Sequence, residues 1–282
     1  VSPADQSAPP KWGDLGVRLF SAFVLIPAVL IDVWVGGIWF QLFVALLTIL
    51  VAYEWTVMAH GRSSSQFAIH AAAALCGVFL PMETGLPGTF FAVFILATMG
   101  AVLAQFQGRP TSVWTYLGVP YAAIPGAALV ILRADEDMGL LAILWLLSIV
   151  WAADTCAYFA GRIIGGPKLA PVISPKKTWS GLAGAVIGSA AASIAFCNIA
   201  GLEGWAILGV IAAVAAVVEQ AGDLFKSALK RHYGVKDSGR LIPGHGGVID
   251  RVDGLIAVSA FAAGVGILRM GMHSSGHGLL LW

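Results

Sequence analysis

Nine apolar runs, each close to the roughly 20 residues that a helix needs to cross a hydrocarbon core, follow one another along this chain. They lie approximately at 17–36, 38–58, 66–82, 88–105, 113–132, 138–161, 180–200, 203–224 and 254–272. The expected fold is therefore an all-α polytopic membrane protein with about nine transmembrane helices. Composition agrees: 59% of the 282 residues are hydrophobic and only 11% charged, whereas a soluble domain carries about 25% charged residues. Pro27, Pro120 and Pro125 fall inside runs. Neighbouring helices can re-satisfy the backbone groups that a proline frees, so kinks are expected there, not breaks.

Three regions follow. Residues 1–15 form a polar, Pro- and Ser-rich segment, read as a surface-lying or disordered tail and not as a signal peptide. Residues 16–135 hold the N-terminal transmembrane helices, and 136–282 form a C-terminal transmembrane catalytic region with polar loops at 162–179 and 225–253. Cys76, Cys156 and Cys197 sit in separate apolar runs at no metal-ligand spacing. They read as small packing residues.

Charge placement gives the orientation. With nine crossings, one side receives Lys11, Arg18, Arg62, Arg109, Arg162, Lys168, Lys176, Lys177, Lys226, Lys230, Arg231, Lys236, Arg240 and Arg251, and the other only Arg133 and Arg269. Lys and Arg concentrate in cytoplasmic loops, so the N-terminus, both basic loops and the polar site between them are expected to face the cytoplasm. A net charge of +1 gives no reason to expect nucleic acid as a partner.

Arg62 and Arg109 suit simple anchors at anionic headgroups. The two larger loops carry more than an anchor requires. Between Ser227 and Gly254, cations alternate with Asp237, Asp250 and Asp253 around Pro243-Gly244-His245-Gly246-Gly247, while Asp154, Glu219 and Asp223 lie near helix ends. Ionisable groups at such depth mark a polar cavity or substrate path. Asp223 and Asp250, brought together at the membrane surface, would repel unless a divalent cation sat between them, and Mg²⁺ is typically held by one or two carboxylates with water and phosphate completing its shell. The competing reading pairs Asp250 with Arg251 and Asp223 with Lys226. Lys230, Arg231 and Lys236 offer charge for a polyphosphate, and the Gly-rich turn permits close backbone approach, although it lacks the Walker A order. His245 suits a general acid, a phosphate ligand or a hydrogen-bonded turn residue. In the other loop, Ser174-Pro175-Lys176-Lys177-Thr178 precedes the seventh run, where Thr178 or Ser180 can cap a helix while the lysines reach interfacial phosphates.

In its fixed positions, the stretch Ser227, Leu229, Lys230, Arg231, Lys236, Asp237, Gly239, Ile242, Pro243, His245, Gly246, Gly247, Val248, Asp250, Arg251 and Asp253 resembles the signature of the phosphatidate cytidylyltransferase (CDP-diacylglycerol synthase) family. Asp154, Tyr158, Gly161, Arg162, residues 174–178 and Gly222-Asp223-Leu224 also resemble bacterial members, so the likeness spans the C-terminal half. The first five runs resemble it only in hydropathy. Three positions depart from the bacterial pattern: Lys226 and Ser180 stand where an acidic residue is common, and Gly254 where Ser is common.

The resemblance implies the reaction of CTP with phosphatidate to give CDP-diacylglycerol and pyrophosphate. By the same resemblance Asp223 and Asp250 would hold Mg²⁺, with room for a second cation such as K⁺, and would act in catalysis with Lys230 and Arg231. Lys236 would join the triphosphate clamp, and His245, Gly246 and Gly247 would seat the nucleotide. Ser174, Lys176 and Lys177 would meet the phosphatidate headgroup among membrane lipids, and Ser227, Asp237, Arg251 and Asp253 would complete the substrate site. A bacterial inner-membrane location follows, and a homodimer is compatible. The alternative is a transporter or binding protein for an anionic lipid or phosphate, but no internal repeat is seen and the charges gather at one surface. The Asp-Gly-x-x-Ala-Arg motif of CDP-alcohol phosphotransferases is absent.

Overall fold

A computed structural model of the chain describes residues 12–108, 113–239 and 247–282. Its elements are α1 (Trp12–Val35), α2 (Gly37–His60), α3 (Ser64–Phe79), α4 (Pro81–Phe106), α5 (Val113–Ala134), α6 (Gly139–Ile163), β1 (Lys168–Ala170), β2 (Ser174–Thr178), α7 (Trp179–Ala200), α8 (Trp205–His232), α9 (Ile249–Met270) and α10 (Ser275–Leu280). The chain is an all-α polytopic membrane protein, and each of the nine expected runs coincides with one of α1–α9. Among the described residues, seven helices are long and apolar enough to cross a membrane: α2 and α4 to α9. With 16 residues, α3 rises only about 24 Å, less than the ~30 Å hydrocarbon thickness. α1 has 24 residues, enough to rise about 36 Å.

The outer surface is apolar, as a lipid solvent requires. Phe90, Phe94, Phe106, Ile199 and Leu268 all point outward. Inside, Trp145 of α6 is fully buried and donates its indole N–H to Ser193 Oγ of α7 at 2.9 Å. These two helices pack closely because Gly184 and Gly188 of α7 face Ala160 and Cys156 of α6. Cys156 is thus a packing residue, as its setting in the sequence suggests.

Contacts sort the connections to two ends of the bundle. At one end Trp114 stacks on His232, Lys177 meets Asp223, and Glu54 of α2 bonds the start of α9. At the other, Arg133 donates to the carbonyl oxygens of Val33 and Trp34, and Asp135 grips His277 of α10. This partition matches the alternation of basic loops.

The boundaries differ from expectation where charge was read as loop. α8 continues eight residues past 224, so Lys226, Lys230 and Arg231 lie on a helix. Lys, Ala, Leu and Arg are good helix formers, and Leu229 is buried against Val51, Trp55 and Ile249, so the extension is amphipathic. Its basic last turn also opposes the negative end of the helix dipole. α9 begins at Ile249 with Asp250 in its first turn, favoured there for the opposite reason. The loop at 162–179 contains an antiparallel hairpin, with Lys168 opposite Thr178 and Ala170 opposite Ser174. α5 runs through Pro120 and Pro125 without interruption. The non-helical residue within a helix is Gly85 of α4, at φ 71°, two residues before Pro87. A proline removes a backbone donor there, and glycine takes the left-handed conformation without strain.

Candidate active site

Three carboxylates converge on one ammonium. Lys226 Nζ lies 2.8 Å from Asp223 Oδ1, 2.5 Å from Asp253 Oδ2 and 3.6 Å from Asp250 Oδ1. Two further lysines close the outer side: Lys177 of β2 reaches Asp223 Oδ2 at 2.5 Å, and Lys230 reaches Asp250 Oδ1 at 2.5 Å. Three Asp and three Lys side chains therefore form one layer of alternating charge between α8, α9 and the hairpin. Lys226 is only 7% exposed. It is not the weak surface pair that i,i+3 spacing on a helix usually gives.

Backbone proximity makes the layer possible. A methyl group on Gly222 would lie 2.7 Å from Ala257 Cβ, and one on Gly254 would lie 2.8 Å from Glu219 Cγ. Each helix thus offers a glycine where the other's side chain packs, and the aspartates beside the glycines are drawn together. The Gly254 departure has its reason here, since the space a serine side chain would take is filled by Glu219.

On the hairpin side, Lys177 also donates to Gln220 Oε1 at 2.8 Å. Thr178 is the N-cap of α7, accepting from Gly181 N–H at 3.1 Å, and Ser180 Oγ donates to the carbonyl oxygen of Gly165. The cap anchors β2 so that Lys177 stands over Gln220 and Asp223 of α8. Between hairpin, α6 and α8 lies a cavity of about 500 Å³ lined by Asp154, Tyr158, Gly161, Arg162, Lys176, Lys177, Thr178, Gln220 and Asp223. Arg162 bonds Tyr158 Oη at 3.0 Å on its wall. A second cavity, about 310 Å³, is lined by aliphatic and Phe side chains and Thr89, from α4, α5 and the C-terminal half of α9. It holds no charged group.

The expected residues are thus distributed unevenly. Asp223, Asp250, Asp253, Lys230 and Lys177 come together around Lys226, and Lys176 and Asp223 share the larger cavity. Ser174 begins β2, and Ser227 lies half-buried on α8. Arg231, Lys236, Asp237 and Arg251 are exposed at the same end, while Gly247 is buried. His245 and Gly246, with 240–244, lie outside the described residues. The competing pairing of Asp223 with Lys226 is present, but Asp250 pairs with Lys230 and shares Lys226 instead of depending on Arg251.

Two polar residues escaped the sequence reading. Ser238 donates its N–H to Asp250 Oδ2 at 3.1 Å and places its hydroxyl 3.0 Å from the same oxygen. Glu54, 1% exposed in α2, accepts from Val248 N–H at 2.8 Å and Ile249 N–H at 2.9 Å, and lies 2.9 Å from Ser238 Oγ. A single carboxyl group within an apolar run was the available signal.

Comparison with known proteins adds the following. The profile of the cytidylyltransferase family matches residues 16–267. A phosphatidate cytidylyltransferase of Brucella suis biovar 1 (strain 1330) is 39% identical over 250 residues, covering 88% of this chain and 91% of the relative. Its namesake in Pseudomonas aeruginosa is 35% identical over 262 residues, covering 87% and 95%. That of Staphylococcus haemolyticus is 32% identical over 248 residues, covering 86% and 95%.

Proposed function

The chain belongs to the cytidylyltransferase family, and from that membership we propose that it is the phosphatidate cytidylyltransferase of its cell. It joins CTP and phosphatidate to give CDP-diacylglycerol and pyrophosphate. The observation that carries this reading is the Asp–Lys layer bordering a cavity that also presents Lys176 and Arg162. Such a site handles two anions at once. A transporter or passive binding protein does not fit the family and its relatives.

The chemistry asks little of a side-chain base. A phosphate monoester has a second pKa near 6, so phosphatidate is largely dianionic at neutral pH. One of its oxygens attacks the α-phosphorus of CTP. The new P–O bond forms as the bond to the β-phosphate oxygen breaks, and pyrophosphate leaves with that electron pair. The barrier lies in the approach of two anions and the charge gathering on the leaving group, which fixed cations lower. Lys176 and Arg162, on the cavity wall, receive the lipid headgroup. Lys230, Arg231 and Lys236, on and beyond the last turns of α8, clamp the triphosphate.

The donor set suits Mg²⁺. Asp223 and Asp250 bring hard carboxyl oxygens from different helices, and one or two carboxylates are what the ion takes from protein, although the point where they meet holds the Lys226 ammonium, which the ion would have to displace or sit beside. Asp223 and Asp250 would hold it, and it would supply charge neutralisation at the phosphates. Lys226 fills the second cationic role: its ammonium is a monovalent cation fixed by covalent attachment, in place of a bound K⁺.

In this reading α1–α9 all cross, α3 with the help of flanking residues, in the inner membrane of a bacterium with the site on the cytoplasmic side. The concentration of Lys and Arg at the site's end supports that orientation. The test is CTP-dependent release of pyrophosphate by detergent-solubilised protein in phosphatidate micelles. One pyrophosphate per CDP-diacylglycerol is expected, with no release when phosphatidate is omitted. Pyrophosphate formed at equal rates without phosphatidate would refute the assignment.

A further inference from the structure

Glu54 lies in α2, far from the signature in sequence, yet its carboxyl group holds both ends of the signature loop. Oε1 accepts from Val248 N–H, while Oε2 accepts from Ile249 N–H and faces Ser238 Oγ. Two glycines make room for it. A methyl group on Gly239 would collide with Oε1, and one on Gly247 would fall on Ser238 Oγ and 2.6 Å from Oε2. The chain thus wraps the carboxyl group from two sides, 184 to 195 positions away in sequence.

The first turn of a helix has N–H groups with no intrahelical partner. At α9 two of them are taken by this carboxyl group, and no side chain at the N-cap residue Val248 does so. Ser238 passes the constraint on, because its hydroxyl lies between Glu54 Oε2 at 2.9 Å and Asp250 Oδ2 at 3.0 Å, and its N–H bonds Asp250 as well. One hydroxyl proton is thus shared by two carboxyl groups. Removing Glu54 would strand two buried N–H donors and release Ser238 from one side.

We propose that Glu54 is a positioning residue for nucleotidyl transfer: by gripping Ser238 and the first turn of α9 together, it fixes where the Asp250 carboxylate stands. This rests on the reading that Asp250 belongs to the active site. It also gives the N-terminal helices a part in the chemistry.

The experiment compares Glu54→Gln, Ser238→Ala, the double variant and Asp250→Asn in detergent, reading kcat and both KM values, melting temperature, and hydrogen–deuterium exchange of the peptide containing Val248 and Ile249. Glu54→Gln keeps the size of the side chain but turns one acceptor into a donor. Expected are faster exchange of that peptide, a kcat lower by about 10- to 100-fold, as for losses of groups that orient an active-site ligand, and a phosphatidate KM that stays within about threefold. In the double variant kcat should fall little further than in the worse single, because the two residues act in one chain of contacts. The proposal is overturned if exchange is unchanged, if kcat per folded molecule is that of the wild type, or if the two penalties multiply. Should Glu54→Gln fail to fold, Ser238→Ala decides, since normal kcat in it breaks the link to Asp250. Normal turnover by Asp250→Asn refutes the site assignment and takes the proposal with it, whereas an inactive Asp250→Asn beside a normal Glu54→Gln refutes only the proposal.

Discussion

Lys226 Nζ sits 2.5 Å from Asp253 Oδ2, joining α8 to α9 at the layer where Gly222 and Gly254 let the two helices approach. Breaking a buried pair by removing one partner costs about 3–5 kcal/mol, since the remaining charge stays unpaired. Lys226→Met leaves three carboxylates facing one another, so it should lower the melting temperature of the purified protein and abolish turnover. Lys226→Arg keeps the charge and should recover much of the stability. A Met variant as stable as the wild type would show that the carboxylates do not depend on this ammonium.

Asp223→Asn and Asp250→Asn should each reduce turnover by on the order of 10²-fold or more, the usual cost of losing an electrostatic group at a reacting phosphate. Initial rates across a Mg²⁺ titration check this. Recovery to the wild-type rate at saturating Mg²⁺ would show that neither carboxylate is needed once the ion is bound.

The two lysines of β2 should separate. Lys177 is tied to Asp223 and Gln220, whereas Lys176 is exposed on the cavity wall. Lys176→Ala should raise the phosphatidate KM and leave kcat nearly intact; Lys177→Ala should lower kcat. Steady-state kinetics with each substrate varied in turn measures both, and an effect of Lys176→Ala on the CTP KM alone would exclude it from the headgroup site.

At the opposite end, Asp135 provides a pH test. Burial works against its ionisation, but hydrogen bonds from the ring and N–H of His277 and from Met138 N–H outweigh it and hold the carboxyl below the usual aspartate range. A group depressed on folding adds stability above its unfolded pKa, about 3.9, and that contribution disappears as pH falls through the folded value. Asp135→Asn should therefore melt lower at neutral pH, by a margin that shrinks below about pH 4. A margin independent of pH down to 3 would mean that ionisation of Asp135 contributes nothing.

Length and periodicity located every long helix, because a lipid-soluble segment writes its identity locally. The signature aspartates were legible for the same reason, since Asp250 and Asp253 are close in sequence and Asp223 marks a charge near the end of an apolar run. Of partnership, only the Asp223–Lys226 pair could be read, as the competing reading. Lys226 looked like a departure from a family pattern, and only the approach of α8 and α9 at Gly222 and Gly254 puts its ammonium among three carboxylates. Glu54 was hidden by distance, its partners lying 184 to 195 residues away. The hairpin was missed because two strands of three and five residues give too short an alternation to stand out beside basic residues.

The extra turns of α8 have one more consequence. Asp223 stands 18 residues after Trp205, about 27 Å along the axis, close to where a hydrocarbon core of ~30 Å gives way to headgroups. A phosphate carried by a lipid already resides at that depth. The lipid substrate need not be lifted from the bilayer to react; the membrane itself sets its height, and a thicker or thinner bilayer would move one reactant relative to the other without altering a single residue.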